Sequence, residues 1–238
     1  MADPNHRRQQ RRNLTFLILL LIRSFTTLAQ EAKWDSTIRP DIYKARVDLF
    51  RSLPHSRKDV VFLGNSLTFW ADWSDMLGDT RYKNRGIPGD MTFGVLERLD
   101  EVIQGKPAKV FILIGINDLA RNVPDSLIVR NYRRMVRRIK TGSPATRIYF
   151  QTLLPTNDSF QKLKSHYNKE QHIQTLNSAL KEMAAAGQFE VIDLHPHFVD
   201  ETGKLKKEYT WDGVHLTLAG NQKWVEVLSN GGYVKVRR

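Results

Sequence analysis

Several short segments of the chain carry the residue types that acyl transfer requires. The apolar run Val60-Val61-Phe62-Leu63 stops at Gly64-Asn65-Ser66, so a small hydroxyl follows directly on a glycine. A serine hydroxyl is a weak nucleophile at neutral pH and needs a base to take its proton. The oxyanion formed by its attack needs donors fixed in advance. Ser66 can offer its own backbone N–H as well as its hydroxyl. Gly89, in "NRGIPGD", lets the backbone approach a ligand and aim a second N–H at it. Asn117, in "GIND", can add a neutral side-chain N–H. Near the C-terminus "WDGVHLT" sets Asp212 three residues before His215. On a tight turn that spacing brings a carboxylate to Nδ1–H and frees Nε2 to accept a proton. Such a base predicts activity that falls in acid as the imidazole protonates.

Each of these residues also has an ordinary reading. Serine is a favoured helix N-cap, and asparagine is a common turn or cap residue. Asp118 reads as structural, because Asn117 beside it already fills the donor role. Asp90 reads as the cap of a helix beginning near Thr92. His195 and His197 flank Pro196, but two histidines without a further ligand set make a poor metal site, so no metal or other cofactor is expected. His55, His166 and His172 read as surface residues. Trp70, Trp73 and Trp211 flank the candidate segments and read as core or rim packing, with stacking on a sugar or acyl group as the sharper option.

Positioning these groups falls to an alternating pattern. Short apolar, β-branched runs lie at 60–63, 82–84, 110–114, 148–153 and 191–194, the signature of strands buried on both faces. Between them run amphipathic stretches: "TFGVLERLDEVIQ", "DSLIVRNYRRMVRRIK" with Asp125 as a cap, and "IQTLNSALKEMAAAG" ending at Gly187. "DIYKARVDLFRSL" precedes the first strand and "TLAGNQKWVEVL" follows the last. Strand–helix alternation implies an α/β fold: a three-layer α/β/α sandwich on a five-stranded parallel sheet, flavodoxin-like in its order 2-1-3-4-5. In such sheets ligands bind outside the carboxyl ends of the strands, where Ser66, Gly89 and Asn117 all fall. No linker divides the chain beyond the first thirty residues, so one domain is expected over residues 30–238.

The N-terminus differs. Arg7, Arg8, Arg11 and Arg12 precede a nine-residue apolar run from Leu14 to Ile22, and small residues follow. At about 1.5 Å per residue such a helix covers roughly half of a bilayer core. The layout is that of a secretory signal peptide over residues 1–29, cut after Ala29, with Thr27 at the third position before the cut. It predicts an exported protein, periplasmic or secreted, that meets a membrane only through this segment. Arg11-Arg12 ahead of Leu14 is a weak twin-arginine feature. The absence of cysteine rules out disulfides, thiol catalysis and a lipid-modified N-terminal cysteine.

The formal charge is +12, of which the leader contributes +4 and the remainder +8. The densest cluster is "RNYRRMVRRIK", Arg130 to Lys140. Its apolar companions Ile128, Tyr132, Met135, Val136 and Ile139 recur at helical spacing, which puts the arginines on a solvated face. No recognition motif accompanies them, so nucleic acid is not an expected partner.

Together the segments resemble the SGNH, or GDSL-type, serine hydrolases. The four blocks of that family read here as Gly64-Asn65-Ser66-Leu67, Gly89, Gly115-Ile116-Asn117-Asp118 and Asp212-Gly213-Val214-His215, in order over residues 60–218. "NRGIPGDMTFGVLERL" further resembles the acetylhydrolase branch, which includes platelet-activating-factor acetylhydrolase subunits and bacterial carbohydrate O-acetylesterases. The resemblance implies Ser66 as nucleophile, Asp212 and His215 as its catalytic pair, and Ser66 N–H, Gly89 and Asn117 as the oxyanion hole. It implies a small-molecule or carbohydrate ester as substrate, acetyl esters foremost. A lysophospholipase or thioesterase is the enzymatic alternative, and a non-catalytic carbohydrate-binding domain the alternative of another class. Asn65 stands where the family name has aspartate. It keeps the hydrogen bonding without the charge, so activity is expected to survive.

Overall fold

The computed structural model describes residues 34–237. The chain divides into two units, Met1–Asp35 and Ser36–Arg238, and the second carries the fold. The leader reading and the cut after Ala29 lie outside the described residues.

Helix α1 (Tyr43–Ser52) precedes strand β1 (Val60–Gly64), which is followed by α2 (Ser66–Phe69) and α3 (Trp73–Leu77). Strand β2 (Tyr82–Gly86) leads to α4 (Thr92–Glu97) and α5 (Leu99–Gly105). Strand β3 (Lys109–Leu113), α6 (Ile116–Ala120) and the long α7 (Asp125–Gly142) come next, then β4 (Arg147–Gln151). The chain closes with α8 (Glu170–Ala184), β5 (Glu190–Ile192), α9 (His195–Phe198) and α10 (Leu218–Asn230). The five strands form one sheet of order β2-β1-β3-β4-β5, and every pair is parallel. This is the expected α/β architecture.

Register explains much of the packing. Phe62 pairs with Phe111 and Phe111 with Tyr149, so three rings line up across β1, β3 and β4. They stack at 4.9 Å and 4.8 Å, each pair tilted by 13°. Trp73 lies on Phe62 at 3.7 Å, and Trp224 of α10 meets Trp73 edge-on at 4.8 Å. The buried indole N–H groups are satisfied: Trp73 donates to the Thr68 carbonyl and Trp224 to Gln151 Oε1. The alternate positions Val61, Leu63, Val110, Ile112, Ile148 and Phe150 are buried as well, as a sheet covered on both faces requires. On α7 the apolar residues Ile128, Tyr132, Met135, Val136 and Ile139 are buried, while Arg130, Arg133, Arg134, Arg137 and Arg138 are exposed.

Three local expectations need correction. The stretch 92–104 is two helices, α4 and α5, meeting at Arg98 (φ −94°, ψ 8°). The break has a cause: the Arg98 side chain is fully buried, where its Nε donates to Asp90 Oδ2 at 2.9 Å and its Nη2 to the Gly64 carbonyl at 3.0 Å. Asp90 is thereby engaged and does not cap α4. That role goes to Asp118, whose two carboxylate oxygens accept the Thr92 N–H. Asp125 is the first residue of α7 rather than its cap, which is Pro124. There its carboxylate still complements the positive end of the helix. Gly187, with φ +73°, donates its N–H to the Ala184 carbonyl one turn beyond the last residues of α8.

Candidate active site

Close backbone approach shapes the end of β1. A Cβ on Gly64 would lie 2.4 Å from the Leu113 carbonyl oxygen of β3 and 2.3 Å from Thr68 Oγ1, so only glycine fits there. The chain then turns, and Asn65 Oδ1 accepts the Leu67 N–H at 3.0 Å, capping α2. Asn65 is fully buried and its Nδ2 finds no partner among the described residues. Ser66 follows as the first residue of α2, so no preceding helical turn can accept its N–H.

The second and third loops are tied to the first by hydrogen bonds. Ile87 N–H donates to the Gly64 carbonyl at 3.1 Å. Gly89 takes a left-handed φ of +77°, a conformation that side chains resist. Asn117, on the first turn of α6, donates one Nδ2 hydrogen to the Asp90 carbonyl at 2.9 Å and retains a second hydrogen for a ligand. Asp118 receives the Thr92 hydroxyl at 2.5 Å besides the two bonds from the Thr92 N–H. It is structural, as its position beside Asn117 suggested. Burial pushes the Asp118 carboxyl up to about 7 against an ordinary 3.8, and the Thr92 hydrogen bonds only partly oppose it. A carboxyl raised in the fold stabilises fully below its unfolded value, and that contribution is lost as pH climbs through about 7. Between about pH 5 and about pH 8 the wild type is therefore expected to lose melting temperature relative to Asp118→Asn, whose side chain does not ionise. A gap that stays constant over that range contradicts a raised Asp118.

The fourth segment arrives from the other end of the chain. His215 Nε2 stands 2.8 Å from Ser66 Oγ. His215 Nδ1 stands 2.6 Å from Asp212 Oδ2, while Asp212 Oδ1 accepts the N–H groups of Val214 (2.9 Å) and His215 (2.7 Å). The Asp212 carboxylate thus fixes both the turn and the ring. With Nδ1–H donating to it, Nε2 is the acceptor for the serine proton. The Trp211 ring lies against the His215 ring at 5.3 Å, tilted by 16°, and remains half-exposed. Trp70 is exposed too, whereas Trp73 belongs wholly to the core.

One residue in this cluster departs from expectation. His166, read above as a surface residue, is half-buried and places Nε2 3.0 Å from Asn117 Oδ1. It lies in the excursion after β4, and nothing in its local sequence marks it. Burial and then the neighbouring His215 push its pKa down from 6.5. His55 and His172 are exposed as expected, with His172 Nδ1 2.9 Å from an Asp125 oxygen. His195 Nε2 stands 3.0 Å from Glu170 Oε1 and so packs on α8, while His197 is exposed. Among the described residues no group of three or more histidines and acids is placed to hold a metal.

Residues 62–223 match the model of the GDSL-like Lipase/Acylhydrolase family. The chain belongs to that family. Family membership makes it a carboxylic ester hydrolase, and solved acylhydrolases share its sheet. A candidate platelet activating factor from Streptococcus pneumonia is 29% identical, with a TM-score of 0.72 over 90% of this chain and 98% of its own. A GDSL-like lipase from Bacteroides thetaiotaomicron is 28% identical, with a TM-score of 0.66 over 79% of this chain and 96% of its own. An acetylxylan esterase from Geobacillus stearothermophilus shares the fold at 20% identity, with a TM-score of 0.61 over 78% of this chain and 99% of its own. No curated protein matches the chain.

Proposed function

We propose that this GDSL-like hydrolase is an exported serine esterase that removes short acyl groups, acetyl on carbohydrate above all, through an acyl-enzyme on Ser66. The observation that carries the reading is the unbroken chain from Asp212 through His215 to Ser66, with contacts of 2.6 Å and 2.8 Å. In the first half-reaction His215 Nε2 takes the Ser66 proton as Oγ attacks the ester carbonyl. The oxyanion is met by the Ser66 N–H, the Gly89 N–H and the free Nδ2 hydrogen of Asn117. His215 then gives its proton to the leaving alcohol oxygen as the C–O bond breaks. Water repeats the sequence on the acyl-enzyme and releases the acid, while Asp212 holds the imidazolium.

Support for a carbohydrate substrate comes from Trp211, half-exposed with its ring against His215, and from the exposed Trp70 four residues after Ser66, since aromatic rings at a site's rim suit a sugar ring. The shared fold with an acetylxylan esterase agrees with it. Support for export is the arginine-led apolar leader. The test is a substrate panel: p-nitrophenyl esters from acetate to dodecanoate, an acetylated xylo-oligosaccharide and a lysophospholipid. The expected result is a kcat/KM that falls as the acyl chain lengthens, with acetate released from the sugar. A maximum at long acyl chains, or preference for the lysophospholipid, replaces the reading with a lipid ester hydrolase.

A further inference from the structure

Resting on the reading of Asn117 as an oxyanion donor, we propose that His166 is a positioning residue for ester hydrolysis. It orients the Asn117 amide by donating its Nε2–H to Oδ1, which leaves the NH₂ end facing the carbonyl oxygen of the substrate. A primary amide turns about a broad, two-fold terminal torsion, and an oxygen where a donor is needed repels an oxyanion. Two contacts settle the choice here. Nδ2 bonds the Asp90 carbonyl at 2.9 Å, which can only accept, and Oδ1 meets His166 Nε2 at 3.0 Å. The second contact requires a hydrogen on Nε2, since Oδ1 cannot donate. His166 Nδ1 lies 3.3 Å from Ser165 Oγ, a hydroxyl able to donate to it, which fits that tautomer.

The segment carrying His166 is itself anchored to the other half of the site. The short turn Lys164–His166 is followed by Tyr167, which is buried. The Tyr167 hydroxyl donates to the Asp212 carbonyl at 2.5 Å and accepts the N–H groups of Lys162 (3.2 Å) and Leu163 (3.0 Å). Adjacent residues of one loop therefore grip the oxyanion side through His166 and the acid turn through Tyr167. The loop sets the oxyanion donor and the Asp212–His215 turn in one frame, a placement on which rate depends steeply.

Steady-state kinetics on p-nitrophenyl acetate test this with Asn117→Ala, His166→Ala, His166→Gln and the Asn117→Ala/His166→Ala double variant. Asn117→Ala is expected to lower kcat by roughly 10²–10³-fold. His166→Ala is expected to lower kcat about tenfold to a hundredfold at nearly constant KM. His166→Gln, whose amide can donate to Oδ1, is expected to recover most of that loss. The double variant is expected to be no slower than Asn117→Ala within about twofold, because His166 acts through Asn117. An unchanged kcat in Asn117→Ala would remove the donor reading itself. A slowed Asn117→Ala beside a wild-type His166→Ala would overturn only the positioning role. Additive losses, or a raised KM at constant kcat, would equally overturn it by assigning His166 to substrate contact. Should His166→Ala not fold, His166→Leu against His166→Gln supplies the same comparison.

Discussion

Replacing Ser66 with alanine is expected to lower kcat on p-nitrophenyl acetate by about 10⁴–10⁶-fold without unfolding the protein. Its hydroxyl stands 2.8 Å from His215 Nε2, so its loss removes the bond-forming atom. Alanine suits the first turn of a helix, and the cap of α2 is supplied by Asn65, so the local fold should persist. Residual activity would come from the oxyanion donors alone. His215→Ala should reach the same floor, and the two together should be no worse than either, as in units that act jointly. A Ser66→Ala enzyme within tenfold of wild type would return the protein to a different nucleophile.

The largest expected loss of stability lies at Asp90. Its carboxylate and the Arg98 guanidinium meet at 2.9 Å with no solvent exposure on either side chain. Burial pushes the Asp90 carboxyl up, and the adjacent Arg98 charge draws it back. Asp90→Ala would leave Arg98 in the core with the Gly64 carbonyl and, at 3.8 Å, the Glu101 carboxylate, which already serves Arg85 at 3.2 Å. Removing one partner of a buried pair costs about 3–5 kcal/mol, because the remaining charge is stranded. For a chain of this size that corresponds to a melting temperature lower by about 6–20 °C. Lys44→Ala, at a highly exposed ion pair with Asp48, serves as the control and should cost less than about 0.5 kcal/mol. Urea unfolding of the two variants decides it: a loss at Asp90 no larger than at Lys44 would mean that the pair contributes nothing. Because Arg98 reaches the carbonyl two residues before Ser66, the same pair supports the nucleophile's turn.

The architecture was readable because its signals are local. Each strand is a short apolar run, as in Val60–Leu63 and Val110–Ile114, and strand–helix alternation leaves few topologies open. Ser66, Gly89, Asn117, Asp212 and His215 stood out as candidates for a related reason: each follows the end of a strand or lies in a turn, and the structure brings Ser66, His215 and Asp212 into contact. What escaped the sequence depends on tertiary routes. Arg98 lies in an uninterrupted helical pattern, and only the fold reveals that its side chain is drawn inward and breaks the helix. Asp90 stands two residues before Thr92 and reads as the cap of that helix, but its Oδ2 is taken by Arg98 and the Thr92 N–H goes instead to Asp118, 26 residues away in sequence. His166 sits in a polar loop without periodicity, and its contact with Asn117 spans 49 residues of sequence. Trp73 and Trp211 read alike, yet one closes the aromatic ladder and the other lies over His215 in contact with solvent.

The most direct measurement is covalent labelling with a fluorophosphonate, followed by peptide mass spectrometry and residual activity. The expected result is a single adduct on Ser66, formed in step with the loss of esterase activity and at least about 10³-fold more slowly in His215→Ala. Inactivation by an adduct elsewhere, or labelling of Ser66 at the same rate with and without the imidazole, would contradict a hydroxyl activated by His215.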